Sequence, residues 1–346
     1  MCQHSITTTE QQDCHEHCSK HHTHTSKYEH EKEPSSVEIK ERCNKKIQEL
    51  LTTSKTNEEI RTIVVEFIDL MNKRNGSDMK ITPLIIVVVK QLLLMINEMP
   101  KLKALFIKMC MKDGHQNYKT KCFCIYHDGD SLIMHIFMCS LTIGTTMLND
   151  GRMICEKYGR SRLSLIVSKM FEGITHDIGK HFFTFEDSSR NFLGFPLHGQ
   201  SSGVGLLTLF ESSFRVKYQL TFDECYRMSL VSTFHMDWYH AKSGTANYEE
   251  IIALARYFGK DIIESLYYLC IADNLSKITK DGVPDRKFPT YDSLKTHAQE
   301  FKDTISAPIT MSEMKDIITV EQKGVLVFII NGFDESSIVL PDSVTS

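Results

Sequence analysis

Histidine and aspartate recur in this chain inside apolar, helix-like segments. His135 sits in Ser-Leu-Ile-Met-His-Ile-Phe-Met-Cys, and His176 and Asp177 are adjacent in Gly-Ile-Thr-His-Asp-Ile-Gly-Lys. His198 opens His-Gly-Gln-Ser-Ser-Gly, His235 lies in Ser-Thr-Phe-His-Met-Asp-Trp, and Asp273 lies in Leu-Cys-Ile-Ala-Asp-Asn-Leu-Ser. Aspartate is almost never fully buried unless it is paired or liganded. A divalent cation meets that need, because neutral imidazoles and carboxylates together balance its charge. One such histidine alone reads as a satisfied core residue; the ordered set of six reads as a metal site.

Six residues from distant segments converge only if helices carry them. Neighbours on a helix lie about 100° apart, so His176 and Asp177 reach one ion only from a helix edge or end. Gly179 follows as a plausible terminator. Apolar spacing predicts helices over Ser131–Leu148, Arg162–Ile178, Ser201–Ser212, Phe222–Phe234, Tyr248–Phe258 and Asp261–Ile278. Upstream, Ile39, Cys43, Ile47, Leu50 and Leu51 form one amphipathic helix, and Ile60, Val64, Phe67, Ile68 and Met71 a second. Thr82-Pro83 reads as the N-cap and first residue of a third, buried helix. After Pro289 the period changes, and Asp316–Val320, Val325–Ile330 and Ser337–Leu340 read as short strands. The fold class expected is mainly α, a helical bundle with an N-terminal helical extension and a small C-terminal β appendage.

The chain has 346 residues, with 41% hydrophobic and 24% charged, enough apolar material for a sizeable core. Its net charge of −4 argues against a long nucleic-acid footprint, which needs many Lys and Arg contacts. Arg152, Lys157, Arg160, Arg162 and Lys169 cluster in sequence, as a solvated helix face or a local phosphate patch. Eleven cysteines without regular spacing read as reduced thiols in a cytoplasmic setting. No secretory signal or membrane span is expected, since the longest apolar run, Ile81–Ile96, is interrupted by Lys90 and Gln91. Seven of the sixteen histidines fall before Pro34, around Cys14-His15-Glu16-His17-Cys18. This segment reads as a disordered tail that binds metal opportunistically, if at all.

The order His…His-Asp…Asp resembles the HD superfamily of metal-dependent phosphohydrolases. It is most similar to the HD domain of bacterial CCA-adding tRNA nucleotidyltransferases and related RNA-repair proteins. His127-Asp128-Gly129-Asp130 through His135 is similar to the family's opening segment, and His176-Asp177-Ile178-Gly179-Lys180 to its second motif. Phe195-Pro196-Leu197-His198-Gly199 resembles its Phe-x-Gly-His-Glu step, and Phe234-His235 its Phe-His or His-His pair. Ala272-Asp273-Asn274-Leu275-Ser276 resembles its closing motif. The likeness spans about Tyr126 to Lys277. Leu197 and Gln200 depart from the Gly-His-Glu step. No nucleotidyltransferase head precedes it, so only hydrolysis is implied, not CCA addition.

The resemblance implies a first metal ion held by His135, His176, Asp177 and Asp273, and a second held by His198 and His235 with Asp177 bridging. If only one ion binds, His198 and His235 contact phosphate or act as general acid. The cofactor expected is Mn, Mg, Ni, Fe or Zn, as one or two ions. Such an ion activates water for attack on phosphorus. Lys180 is assigned to a phosphate oxygen, with a solvated lysine as the alternative. His127, Asp130 and Lys277 are assigned to substrate, with support of a metal-bound histidine as the alternative for the first two and charge balance as the alternative for Lys277. Asp237 reads as an acceptor for the other ring nitrogen of His235 or as a solvent-facing group, and Trp238 and Tyr239 as a stacking surface for a base or as core. The substrate class implied is a nucleotide or RNA-end phosphate ester, including a 2′,3′-cyclic phosphate. The alternative function is a metal-stabilised, non-catalytic helical module binding a nucleotide or a protein. The expected organisation is a tail (1–34), an N-terminal helical region (35–120), an HD phosphohydrolase domain (121–285) and a C-terminal appendage (286–346).

Overall fold

The computed structural model describes residues 34–52, 55–75, 78–111, 131–149, 162–182, 185–187, 192–194, 198–210, 222–242, 248–276 and 307–317, with a few isolated positions at 215–220 and 305. The chain divides into Met1–Glu33 and Pro34–Ser346, and every described residue lies in the second unit. Helices dominate. They are α1 (Ser36–Thr52), α2 (Asn57–Asn75), α3 (Pro83–Asn97), α4 (Pro100–Cys110), α5 (Leu132–Asn149), α6 (Arg162–Thr175) and the single turn α7 (Gly179–Phe182). After a two-stranded antiparallel pair, β1 (Phe185–Asp187) and β2 (Phe192–Gly194), come α8 (His198–Leu209), α9 (Phe222–Lys242), α10 (Tyr248–Phe258), α11 (Asp261–Leu275) and α12 (Met311–Ile317).

Local chemistry sets several helix starts. Ser35 and Glu38 form a reciprocal cap at α1: the Ser35 amide donates to Glu38 Oε2 at 2.7 Å, and the Glu38 amide to Ser35 Oγ at 3.3 Å. Thr56 with Glu59 does the same for α2. Thr82 caps α3 as expected, accepting from the Ile85 amide, with Pro83 in the first turn. Thr310 with Glu313 starts α12. That cap makes Asp316 and Ile317 helical, where a strand was expected to begin. The expected strand residues from 318 onward lie outside the described residues.

The periodic residues of α1 and α2 are all buried. The region 35–110 shares one apolar core with the helices that follow. α1 packs on α2, α4 and α5, and α3 packs on α6. Phe67 of α2 meets Phe137 of α5 edge to face at 5.2 Å. α5 is the central helix, buried on nearly all sides and flanked by α6 and α11. By length and composition it could cross a bilayer, but 78% of it is covered within the bundle, the setting of a core helix. α9 packs on α8, α11 and α6. Five described cysteines, Cys43, Cys110, Cys139, Cys225 and Cys270, are buried and not joined in disulfides. Burial pushes the Cys110 thiol up to about 12.

Candidate metal centre

The six residues come from five places in the bundle. His135 lies in the first turn of α5 and Asp273 in the last turn of α11. His235 is mid-α9, and His198 is the first residue of α8. α6 stops at Thr175, so His176 and Asp177 occupy a turn rather than a helix face. The Lys180 amide then bonds the Asp177 carbonyl at 3.0 Å, starting α7. This is the helix-end placement that the adjacency of the pair requires.

Two close approaches bring His198 and His235 to that turn. The Gly179 amide donates to Ser202 Oγ at 2.8 Å, and Ser202 Oγ donates to the His198 carbonyl at 2.7 Å. A Cβ at Gly179 would stand 2.6 Å from the Ser202 amide nitrogen and closer still to the His198 carbonyl, so any side chain would drive α8 away. Likewise a Cβ at Gly203 would stand 2.7 Å from the Ser229 carbonyl and collide with Thr233 Oγ1. α8 and α9 therefore touch nearly backbone to backbone beside His235.

The side chains meet as two groups that share Asp177. His135 Nε2 lies 3.4 Å from Asp177 Oδ2 and 3.1 Å from Asp273 Oδ1. His176 Nε2 lies 3.3 Å and 3.6 Å from the same two oxygens. The other oxygen, Asp177 Oδ1, faces His198 Nε2 at 3.4 Å and His235 Nε2 at 3.6 Å. Ligands about 2.1 Å from an ion stand about 3.0–3.4 Å from one another, so these spacings suit coordination. The inner group, His135, His176, Asp177 and Asp273, is buried throughout. In the outer group, Asp177, His198 and His235, the His198 side chain is the most exposed at 13%.

Hydrogen bonds on the far side of the rings fix which nitrogen faces inward. His176 Nδ1 is 2.7 Å from the Gly173 carbonyl, and His235 Nδ1 is 2.7 Å from the Ser232 carbonyl. A carbonyl only accepts, so each Nδ1 carries the hydrogen, and in the neutral ring each Nε2 turns a lone pair to the centre. Ser276 Oγ donates to the Ala272 carbonyl at 2.7 Å and stands 3.4 Å from His135 Nδ1, able to accept from it. His176 Nε2 and Asp177 Oδ1 are buried without a hydrogen-bond partner. Lone pairs facing carboxylate oxygens need a cation between them.

The electrostatics state the same demand. Burial opposes charge on His176, but the Asp177 and Asp273 carboxylates outweigh it and raise its pKa to about 9. Burial also opposes the charge of Asp177, yet His176 and Lys180 hold its carboxyl well below the usual range. Burial drives His235 down to about 3, because the Asp177 and Asp273 carboxylates do not offset it against two neighbouring imidazoles. A proton on His176 thus serves where an ion would otherwise sit, and the divalent ion must compete with it. Two carboxylates against the Lys180 ammonium leave the site one net negative charge to be met. This buried His/Asp group could hold a metal ion.

Lys180 is neither solvated nor distant. Its Nζ contacts Asp177 Oδ2 at 2.5 Å, with the side chain only 10% exposed. His127, Asp130 and Lys277 lie outside the described residues, as do the side chains of Asp237, Trp238 and Tyr239. Of the basic cluster, Lys169 is paired with Glu172 at 2.9 Å and is 13% exposed, so it is not a solvated or phosphate-facing lysine. Arg152, Lys157 and Arg160 lie outside the described residues. Three contributors lie beyond the sequence reading. Ser276 follows Asp273 by three residues, a same-face spacing that could have flagged it. The Gly173 and Ser232 carbonyls act through the backbone, which leaves no mark in residue type. No family model matches the chain, and neither a curated protein nor a solved structure matches it significantly.

Proposed function

We propose that this chain is an HD-type metal-dependent phosphohydrolase, acting on a phosphate ester of a nucleotide or RNA end. The observation that carries the reading is Asp177, whose two oxygens face two separate histidine groups, 3.3–3.4 Å from the inner imidazoles and 3.4–3.6 Å from the outer ones. That split suits a carboxylate bridging two divalent ions, of the Mn, Mg, Ni, Fe or Zn class. When bound, such ions supply Lewis-acid charge at phosphorus and lower the pKa of water.

The chain's own residues do the rest. The outward Nδ1 bonds hold three imidazoles as neutral Nε2 donors. Asp177 and Asp273 offset cationic charge in a setting that excludes bulk water. Lys180 brings a positive charge against Asp177 Oδ2, within reach of a phosphate oxygen entering the site. His198, the most exposed ligand, marks the side from which an ester arrives. The substrate class, including a 2′,3′-cyclic phosphate, rests on the resemblance of the motifs.

The test is direct. Purified protein is measured for bound metal, then assayed with Mn²⁺, Ni²⁺ and Mg²⁺ against bis-p-nitrophenyl phosphate and 2′,3′-cyclic AMP. Bound metal and turnover, both lost in Asp177→Ala, support the reading. Turnover that survives Asp177→Ala overturns the site. Stoichiometric metal without turnover on a broad phosphate panel favours the non-catalytic module instead.

A further inference from the structure

A second polar cluster is buried in the same bundle. Lys169 Nζ of α6 donates to Glu172 Oε1 at 2.9 Å and also bonds Ser265 Oγ of α11. The Ser265 hydroxyl donates in turn to the Asp261 carbonyl at 3.3 Å. Arg227 of α9 forms an ion pair with Asp261 at the start of α11, and its charge also reaches Glu172. Glu172 and Ser265 are buried, and the Lys169, Arg227 and Asp261 side chains are at most 17% exposed. Two cations and two anions cancel, so the cluster is neutral.

Its placement is specific. The helices it ties together, α6, α9 and α11, are those that deliver His176 and Asp177, His235, and Asp273. Glu172 precedes His176 by four residues, Arg227 precedes His235 by eight, and Ser265 precedes Asp273 by eight. On each helix the charged layer therefore comes one to two turns before the metal layer. A rotation or slide of one helix against another would break the charged layer first, and would move a ligand by a comparable amount.

We infer that Lys169, Glu172, Arg227, Asp261 and Ser265 form a positioning layer that sets the mutual register of α6, α9 and α11, and through it the spacing of the metal ligands. These are positioning residues: none belongs to the His/Asp groups. The inference rests on the metal-site reading above. Ligand spacing must hold within a few tenths of an ångström for tight coordination, and helix-borne sites depend on such support.

The experiment loads the full chain with Co²⁺, whose visible bands report ligand geometry. Co²⁺ affinity is measured by chelator competition, beside the urea midpoint. Glu172→Gln removes the central anion. Ser265→Ala, a milder change that removes only the α6–α11 link, decides the matter if the first variant does not fold. The expected result is about tenfold weaker Co²⁺ binding with altered bands, in protein that remains helical by circular dichroism. A lower urea midpoint with Co²⁺ affinity and bands matching wild type overturns the positioning role and leaves the metal site standing. Failure of the wild-type chain itself to take up Co²⁺ overturns both.

Discussion

Two polar layers lie buried in one helical bundle, and they solve the same problem in opposite ways. The Lys169–Glu172–Arg227–Asp261 layer cancels its own charge and spans its hydrogen bonds internally. The His135–His176–Asp177–Asp273 layer, extended by His198 and His235, points lone pairs and carboxylate oxygens at one another. The first layer balances its charge with protein groups alone. The second asks for a cation from outside. Burying unpaired polar atoms costs stability unless something completes them, so this difference separates a charge-balanced layer from a group that could hold a metal ion within the same core.

The largest way to break the contrast is Asp177→Ala, which removes the carboxylate common to both histidine groups. Metal content by elemental analysis and phosphoesterase activity are both expected to fall to background. In the scaffold layer, Glu172→Leu strands Lys169 beside the Arg227–Asp261 pair and is expected to cost about 3–5 kcal/mol, read as a lower urea midpoint. The Lys169→Met, Glu172→Leu double variant should recover most of that loss, because a neutral apolar pair replaces a neutral ionic one. Burial holds the Glu172 carboxyl above the usual carboxylate range even against Lys169 and Arg227, in keeping with a costly desolvation.

Smaller changes sharpen the comparison. Gly203→Ala forces α8 from α9 at the Ser229 carbonyl and Thr233, an overpacking cost of about 1–3 kcal/mol. It should displace His198 from Asp177 while leaving the inner group intact, so under the proposed two-ion reading metal stoichiometry falls from two toward one. Ser276→Ala removes the acceptor behind His135 and should weaken metal affinity about 10–100-fold with little change in the urea midpoint. Thr56→Ala opens the cap of α2, a helix that carries no residue of either layer. It should cost about 1 kcal/mol and leave metal affinity unchanged.

Most helices were legible because their signals are local. The three- and four-residue apolar steps in α1 and α2, the Thr82-Pro83 start of α3, and the Tyr248–Phe258 segment all matched. α12 was misread because the Thr310–Glu313 cap outweighs the β-like character of the residues beyond it. Lys169 was misread for a different reason. A lysine among basic residues looks solvated until a glutamate three residues on, and a serine from a distant helix, enclose it.

Residue order alone determined that acids and imidazoles fall within apolar helices, and that His176 and Asp177 stand at a helix end where both can turn to one point. Those follow from side-chain solvation and helix period, which act over a few residues. Only the tertiary structure decided that Asp177 faces two histidine groups with different oxygens, that a serine 141 residues away stands behind His135, and that a neutral charged layer braces the helices around them. Each depends on approaches between segments far apart in the chain, and no local spacing encodes which helix packs against which.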